Sequence, residues 1–302
     1  MSTPVGGSAN TANSADVAGW PEAPQRTALR RLALAVSVLS DIDIEPADGG
    51  VVLPGVPDVL VSDDDLARAI RGVDPEGAVA QRRLARWLQA RRAVAERSID
   101  ELGENLRPVA LPVAHELHDG PTWARQHVLG GCLDIGPGFV RLDATDAERV
   151  VVVPQSVLDA TGIDITPWWR GATEYLENMG ALATTRWRRN PREPLRPMGD
   201  CDVVTLLASA VLRGALCADA GGMRAVAAPV RHRGWLDLAR IDPAFAQTAA
   251  ALADDEERGF PRPVLLTVDE VVVALPGGSP AAIVLRDDAT DEQRWLRDVL
   301  YH

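Results

Sequence analysis

The chain has 302 residues, 46% hydrophobic and 25% charged, with 43 acidic against 31 basic side chains and a formal net charge of −12. That is globular composition, long enough for a sizeable core and two subdomains. Its acidity argues against nonspecific binding to a nucleic-acid backbone, which needs a domain-scale positive field.

All 31 basic residues are arginine. Without lysine there is no P-loop, no Schiff-base chemistry and no Ser-x-x-Lys acylase. The three cysteines, Cys132, Cys201 and Cys217, form no CxxC pair, which fits a reducing cytoplasm better than a disulfide scaffold. Residues 1–17 carry neither Arg nor a continuous apolar run, so they read as neither a signal nor a transit peptide. No stretch of about 18 apolar residues offers a membrane span.

Residues 1–24 are expected to be a disordered tail, with Trp20 packing on the body. Leu29, Leu32, Ala33, Val36 and Leu39 then recur at three- and four-residue steps and predict an amphipathic helix ending near Asp41. The runs 51–53 and 59–61 read as short strands or extended loop, because Pro54 and Pro57 forbid a regular central strand. Ser62 followed by Asp65 has the form of a capping box, and Asp63, Asp64 and Asp65 suit the positive end of a helix reaching Arg71. Asp74-Pro75 opens a longer helix to about Arg97, with Ala80, Leu84, Trp87, Leu88 and Ala95 on its apolar face. The other side carries Arg82, Arg83, Arg86, Arg91, Arg92 and Arg97, a solvated face or a docking surface for nucleic acid or an acidic partner.

From Pro108 the texture changes to short β-type runs, and 109–113, 126–133, 139–142 and 149–153 read as strands. The glycines at 130, 131, 136 and 138 do not make a dinucleotide fingerprint and predict a hairpin turn. Pro154 starts a short helix capped by Gly162. Thr166-Pro167 opens a longer one whose buried stripe is Trp169, Ala172, Leu176, Met179, Ala183 and Trp187. Arg186, Arg188 and Arg189 suit the dipole at its C-terminal end, and the proline-rich segment 190–197 is a surface connector. Residues 202–217 fit helix or strand, being apolar on both faces. Beyond them come a strand over 223–230, a helix from Asp242-Pro243, a strand over 264–275, a turn at Gly277-Gly278, a strand over 281–285 and a closing helix over 290–301.

This order places the fold in the α+β class: an N-terminal helical segment, then a mixed, mainly antiparallel β-sheet with packed helices. The expected division is the tail, a helical N-terminal subdomain over 25–107 and an α+β subdomain over 108–302, with an internal boundary at 190–199.

Chemistry concentrates at His115, His118 and His127, with Asp119, Asp134, Glu116 and Cys132 nearby. Imidazole and carboxylate are ligands for a divalent metal, and three of them with water make a hydrolytic site, although His115 and His118 lack the H-E-x-x-H spacing. Asp41, Asp43, Glu45 and Asp48 resemble a calcium loop but lack the glycine at the sixth position and have Val52 at the twelfth. Cys201 lies between Asp200 and Asp202, where negative charge suppresses thiol reactivity. In Gly278-Ser279-Pro280 the proline removes the N–H that a nucleophile elbow needs. Arg231, His232, Arg233 and Trp235 form a compact group suited to binding phosphate or carboxylate through Arg forks.

Two functions follow as expectations. One is a non-catalytic cytoplasmic interaction or regulatory protein that docks another protein. The alternative is a metal-dependent hydrolase using His115, His118 and His127 with Asp119 or Asp134, its cofactor a divalent metal. A third is small-anion binding at Arg231, His232 and Arg233.

Overall fold

The computed structural model describes residues 23–273 apart from 56–57, 72, 114, 116–117, 119–121, 130–132, 143–147, 219, 237–242, 254–256, 261–262 and 268–270. Residues 1–22 with Trp20, Glu116, the metal candidate Asp119, Cys132, the turn at 277–278, the strand at 281–285 and the helix at 290–301 lie outside the described residues.

The fold is α+β, with antiparallel sheets. Helix α1 (Ala23–Ser40) leads into a three-stranded antiparallel sheet of β1 (Glu45–Ala47), β2 (Gly50–Leu53) and β3 (Val59–Ser62). Asp48 and Gly49 turn between β1 and β2, and Gly49 adopts φ +82°, which glycine tolerates without strain. Helix α2 (Asp63–Ala69) carries the expected capping box: the Ser62 hydroxyl accepts from Asp65 N–H, and the Asp65 carboxylate accepts from Ser62 N–H.

Two local expectations fail here. Asp74 closes a turn, accepting from the Glu76 N–H through its side chain, and α3 (Ala78–Ala95) begins only after Gly77. Nor does that helix reach Arg97. Ser98 forms a second capping box with Glu101 and starts α4 (Ile99–Asn105).

The middle sheet contains β4 (Arg107–Pro112), β5 (Gln126–Val128), β6 (Leu133–Leu142) and β7 (Glu148–Val152), with β6 paired to the other three. The expected strand over 126–133 is thus two, and the glycines 136 and 138 lie inside β6 rather than in a turn. Packing is the physical reason. A Cβ on Gly136 would stand 2.5 Å from the Trp123 ring, and one on Gly138 would stand 2.5 Å from the Val151 carbonyl oxygen. Pro137 sits opposite Pro108, so the two residues lacking an N–H donor face one another in the register.

Helix α5 (Gln155–Thr161) ends at Gly162 with φ +69°, a left-handed cap. The long α6 (Ile165–Arg189) buries Ala172, Leu176, Ala183 and Trp187 on its expected stripe. The ambiguous segment resolves as helix, giving α7 (Val203–Leu206) and α8 (Ala210–Ala218). Asp202 caps α7 by accepting from the Thr205 N–H. Glu177 on α6 performs the same service for α8, accepting from the Ala210 and Val211 N–H groups and the Ser209 hydroxyl. Beside it, Gly180 lets the two helices meet: a Cβ there would lie 2.0 Å from Ser209 Oγ. Gly180→Leu should therefore cost about 3 kcal/mol by overpacking, read as a lower denaturant midpoint.

The last described sheet orders β11 (Val271–Val273), β10 (Val264–Leu266), β8 (Arg224–Val230) and β9 (Arg233–Leu236), with α9 (Pro243–Leu252) packed on β8. The single strand expected over 264–275 is an antiparallel pair instead.

One core gathers Leu29, Val36, Leu84 and Leu88, and takes in Phe139 and Val151 from the middle sheet and Val153 just beyond it, so packing continues across residue 107. A second joins Leu176, Ala183 and Trp187 of α6 to Leu206, Leu212, Val226 and Val264. Among the described residues no helix is long and apolar enough to cross a membrane.

Candidate functional site

The antiparallel register pairs His127 on β5 directly with Asp134 on β6. Arg125, the residue just before β5, reaches the same carboxylate. The outcome is a wholly buried carboxylate (0% exposed) with three donors. Asp134 Oδ1 accepts from His127 Nδ1 at 2.5 Å, and Oδ2 accepts from His118 Nε2 and Arg125 Nε, each at 2.7 Å. Trp123 holds His118 edge-on with ring centroids 5.3 Å apart, and its own Nε1–H donates to the Pro137 carbonyl. Burial pushes the Asp134 carboxyl upward, but the hydrogen bonds and charges of His118 and His127 outweigh it and hold the group below the usual aspartate range.

Three members of the expected metal set, His118, His127 and Asp134, therefore meet, but as a hydrogen-bond network. His115 is turned elsewhere, its Nε2 bonded to the Arg258 carbonyl oxygen at 3.1 Å. Among the described residues no group of three or more His, Cys, Asp or Glu side chains is placed to hold a metal ion. His127, with its side chain 64% exposed, presents its other ring nitrogen outward, and Asp134 is its one described hydrogen-bond partner.

The group at 231–235 divides. Arg231 is 4% exposed and turns inward, its Nε donating to Asp202 Oδ2 at 2.7 Å and its Nη2 to the Ala110 carbonyl at 2.8 Å. It thereby ties the end of β8 to the cap of α7. His232 and Arg233 face outward, and the Arg233 guanidinium lies 6.0 Å from the centroid of the half-buried Trp235.

The arginine side of α3 is largely engaged within the molecule. Arg91 is buried against Trp87 at 4.7 Å, Arg97 lies 4.1 Å over Phe139, Arg83 donates to the Arg71 carbonyl, and Arg92 bonds Glu96 and the Asp41 carbonyl. A cleft of about 210 Å³ opens beside it between β3, α3 and α5. Its charged walls are occupied: Asp65 by its capping box and Arg68, Asp159 by Gln155.

A group of free cations lies at the end of α6. Between 186 and 196 the chain carries five arginines against one acid, Glu193. The connector does not run away from the helix, because Leu195 pairs antiparallel with Gly234, with N–H to carbonyl distances of 2.6 and 3.1 Å. Arg186 and Arg196 consequently line one recess, together with Asn190, Glu193 and Trp187. Arg186, Arg188, Arg189, Arg192 and Arg196 are all exposed, and among the described residues their side chains have no hydrogen-bond or ion-pair partner. Sequence reasoning assigned the first three to the helix dipole and missed the fold-back that adds the other two. The surviving signal was the local charge excess.

The two described thiols are shielded from chemistry. Cys201 and Cys217 are free and buried; burial, with Asp202 and Asp200 beside it, pushes Cys201 up to about 12, and burial also raises Cys217. In a Cys132→Ser background no thiol should react with Ellman's reagent until the protein is unfolded. No known protein family, curated protein or solved structure shows significant similarity to the chain.

Proposed function

We propose that this is a non-catalytic cytoplasmic docking protein that holds an acidic segment of a partner protein on the arginine platform at the end of α6. The observation that carries the reading is the platform itself: five exposed arginines between 186 and 196 with no partner among the described residues, two of them lining one recess, in a chain of net charge −12. Several arginines elsewhere in the described structure meet acids, as in Arg30–Asp63, Arg68–Asp65 and Arg107–Asp200. A free guanidinium cluster suits carboxylates, which it binds in planar forks.

An acidic peptide fits better than a nucleic acid. The patch covers one helix end, whereas the rest of the acidic molecule repels an extended polyanion. The platform's aromatic residue, Trp187, is buried and offers no face for stacking bases. A reducing compartment accords with the two buried free thiols. The metal-hydrolase alternative has less support, because Asp134 spends both oxygens on its three donors.

Fluorescence anisotropy with labelled hexaglutamate, and with an oligodeoxythymidylate of equal charge, tests the reading. Saturable hexaglutamate binding that weakens with added salt is expected. Absence of binding, or tighter binding of the oligonucleotide, would overturn it.

A further inference from the structure

Among the described residues four buried side-chain polar atoms lack a hydrogen-bond partner, and three of them lie on α6 and on the β8 residue stacked against it. They are Trp187 Nε1, Thr184 Oγ1 one turn earlier on α6, and Nε of Arg224, whose guanidinium stacks 5.1 Å from the centroid of the Trp187 ring. Orphaned polar atoms are uncommon in folded proteins, and a concentration of them marks a place where a partner atom is missing. The indole and guanidinium groups are both donors, so the missing atom is an acceptor.

Trp187 is 7% exposed and forms part of the wall of the recess between Arg186 and Arg196. That recess has about 20 Å³ of free space, room for a single water-sized group. A carboxylate oxygen is an acceptor of that size, and the two arginines at the rim favour one that carries charge.

We infer that the recess at Trp187 is an anchor pocket: one carboxylate of the docked acidic segment enters it, one oxygen accepting from Trp187 Nε1–H and the other facing Arg186 and Arg196. The inference rests on the platform reading and adds a specific contact to it. Arg188, Arg189 and Arg192 then attract the segment, and Trp187 fixes its register.

An anchor and a merely structural tryptophan differ in sign. Removing an unsatisfied buried donor costs the folded protein nothing, so Trp187→Phe, which keeps most of the ring, leaves stability unchanged or raised. Loss of the donor to a carboxylate weakens hexaglutamate binding about tenfold.

The experiment measures hexaglutamate affinity and denaturant midpoint for the wild type and Trp187→Phe. It adds indole N–H spectra of the ¹⁵N-labelled wild type, the Trp187 resonance being assigned by its absence from the variant. Weaker binding at undiminished stability, with the Trp187 resonance moving in step with saturation, is the expected result. Should Trp187→Phe fold poorly, Trp187→Tyr supplies the assignment and the shift of the wild-type resonance decides. A stationary Trp187 resonance while anisotropy reports binding would overturn the anchor and leave the platform standing. If hexaglutamate does not bind the wild type, both fall.

Discussion

Asp134→Ala is expected to lose about 3–5 kcal/mol of stability, the cost of breaking a buried charge network by removing its acceptor. The carboxylate is fully buried, and its removal leaves the buried His118 ring and the Arg125 Nε without the oxygen they share. The strand pairing survives in the backbone, so the loss appears in the denaturant midpoint more than in the circular dichroism of the folded state. The same group makes a pH prediction. Its folded pKa lies below the unfolded value of about 3.9, so its contribution is complete above that pH and disappears as the pH falls through the lower folded value. The wild type should lose stability in that acidic window, and Asp134→Ala should lose less there. Equal acid sensitivity of the two proteins would contradict the network.

Reversing charge on the platform should have the larger functional effect. Arg188→Glu combined with Arg192→Glu replaces two attractions by two repulsions. At roughly 1 kcal/mol for each reversal, hexaglutamate binding should weaken about 30-fold. Both side chains are exposed and unpaired, so the denaturant midpoint should hardly move.

The fold class was legible because periodicity and caps are local. The Ser62–Asp65 box and the buried stripe of α6 needed only neighbouring residues. Ser98–Glu101 has the same signature as Ser62–Asp65, yet the arginine-rich periodic run before it concealed the break at Glu96. Gly136 and Gly138 misled for a different reason. Their smallness serves contact with Trp123 and Val151, which are distant partners, whereas sequence shows glycine in the same letters as a turn.

The sites were legible only in part, since each depends on a register. His127 meets Asp134 because β5 and β6 align those two residues, and nothing in their spacing excludes the metal set. Arg196 joins Arg186 at the recess because Leu195 pairs with Gly234, a contact across 39 positions that no local pattern encodes.

The most direct measurement compares hexaglutamate binding by two variants with the same change in net charge. One is Arg188→Glu with Arg192→Glu on the platform; the other is Arg31→Glu with Arg82→Glu, two exposed arginines on α1 and α3 with no partner among the described residues. An arginine platform predicts that the first loses binding and the second keeps most of it. Equal losses would mean that the peptide senses only the overall charge, and the docking function would be contradicted.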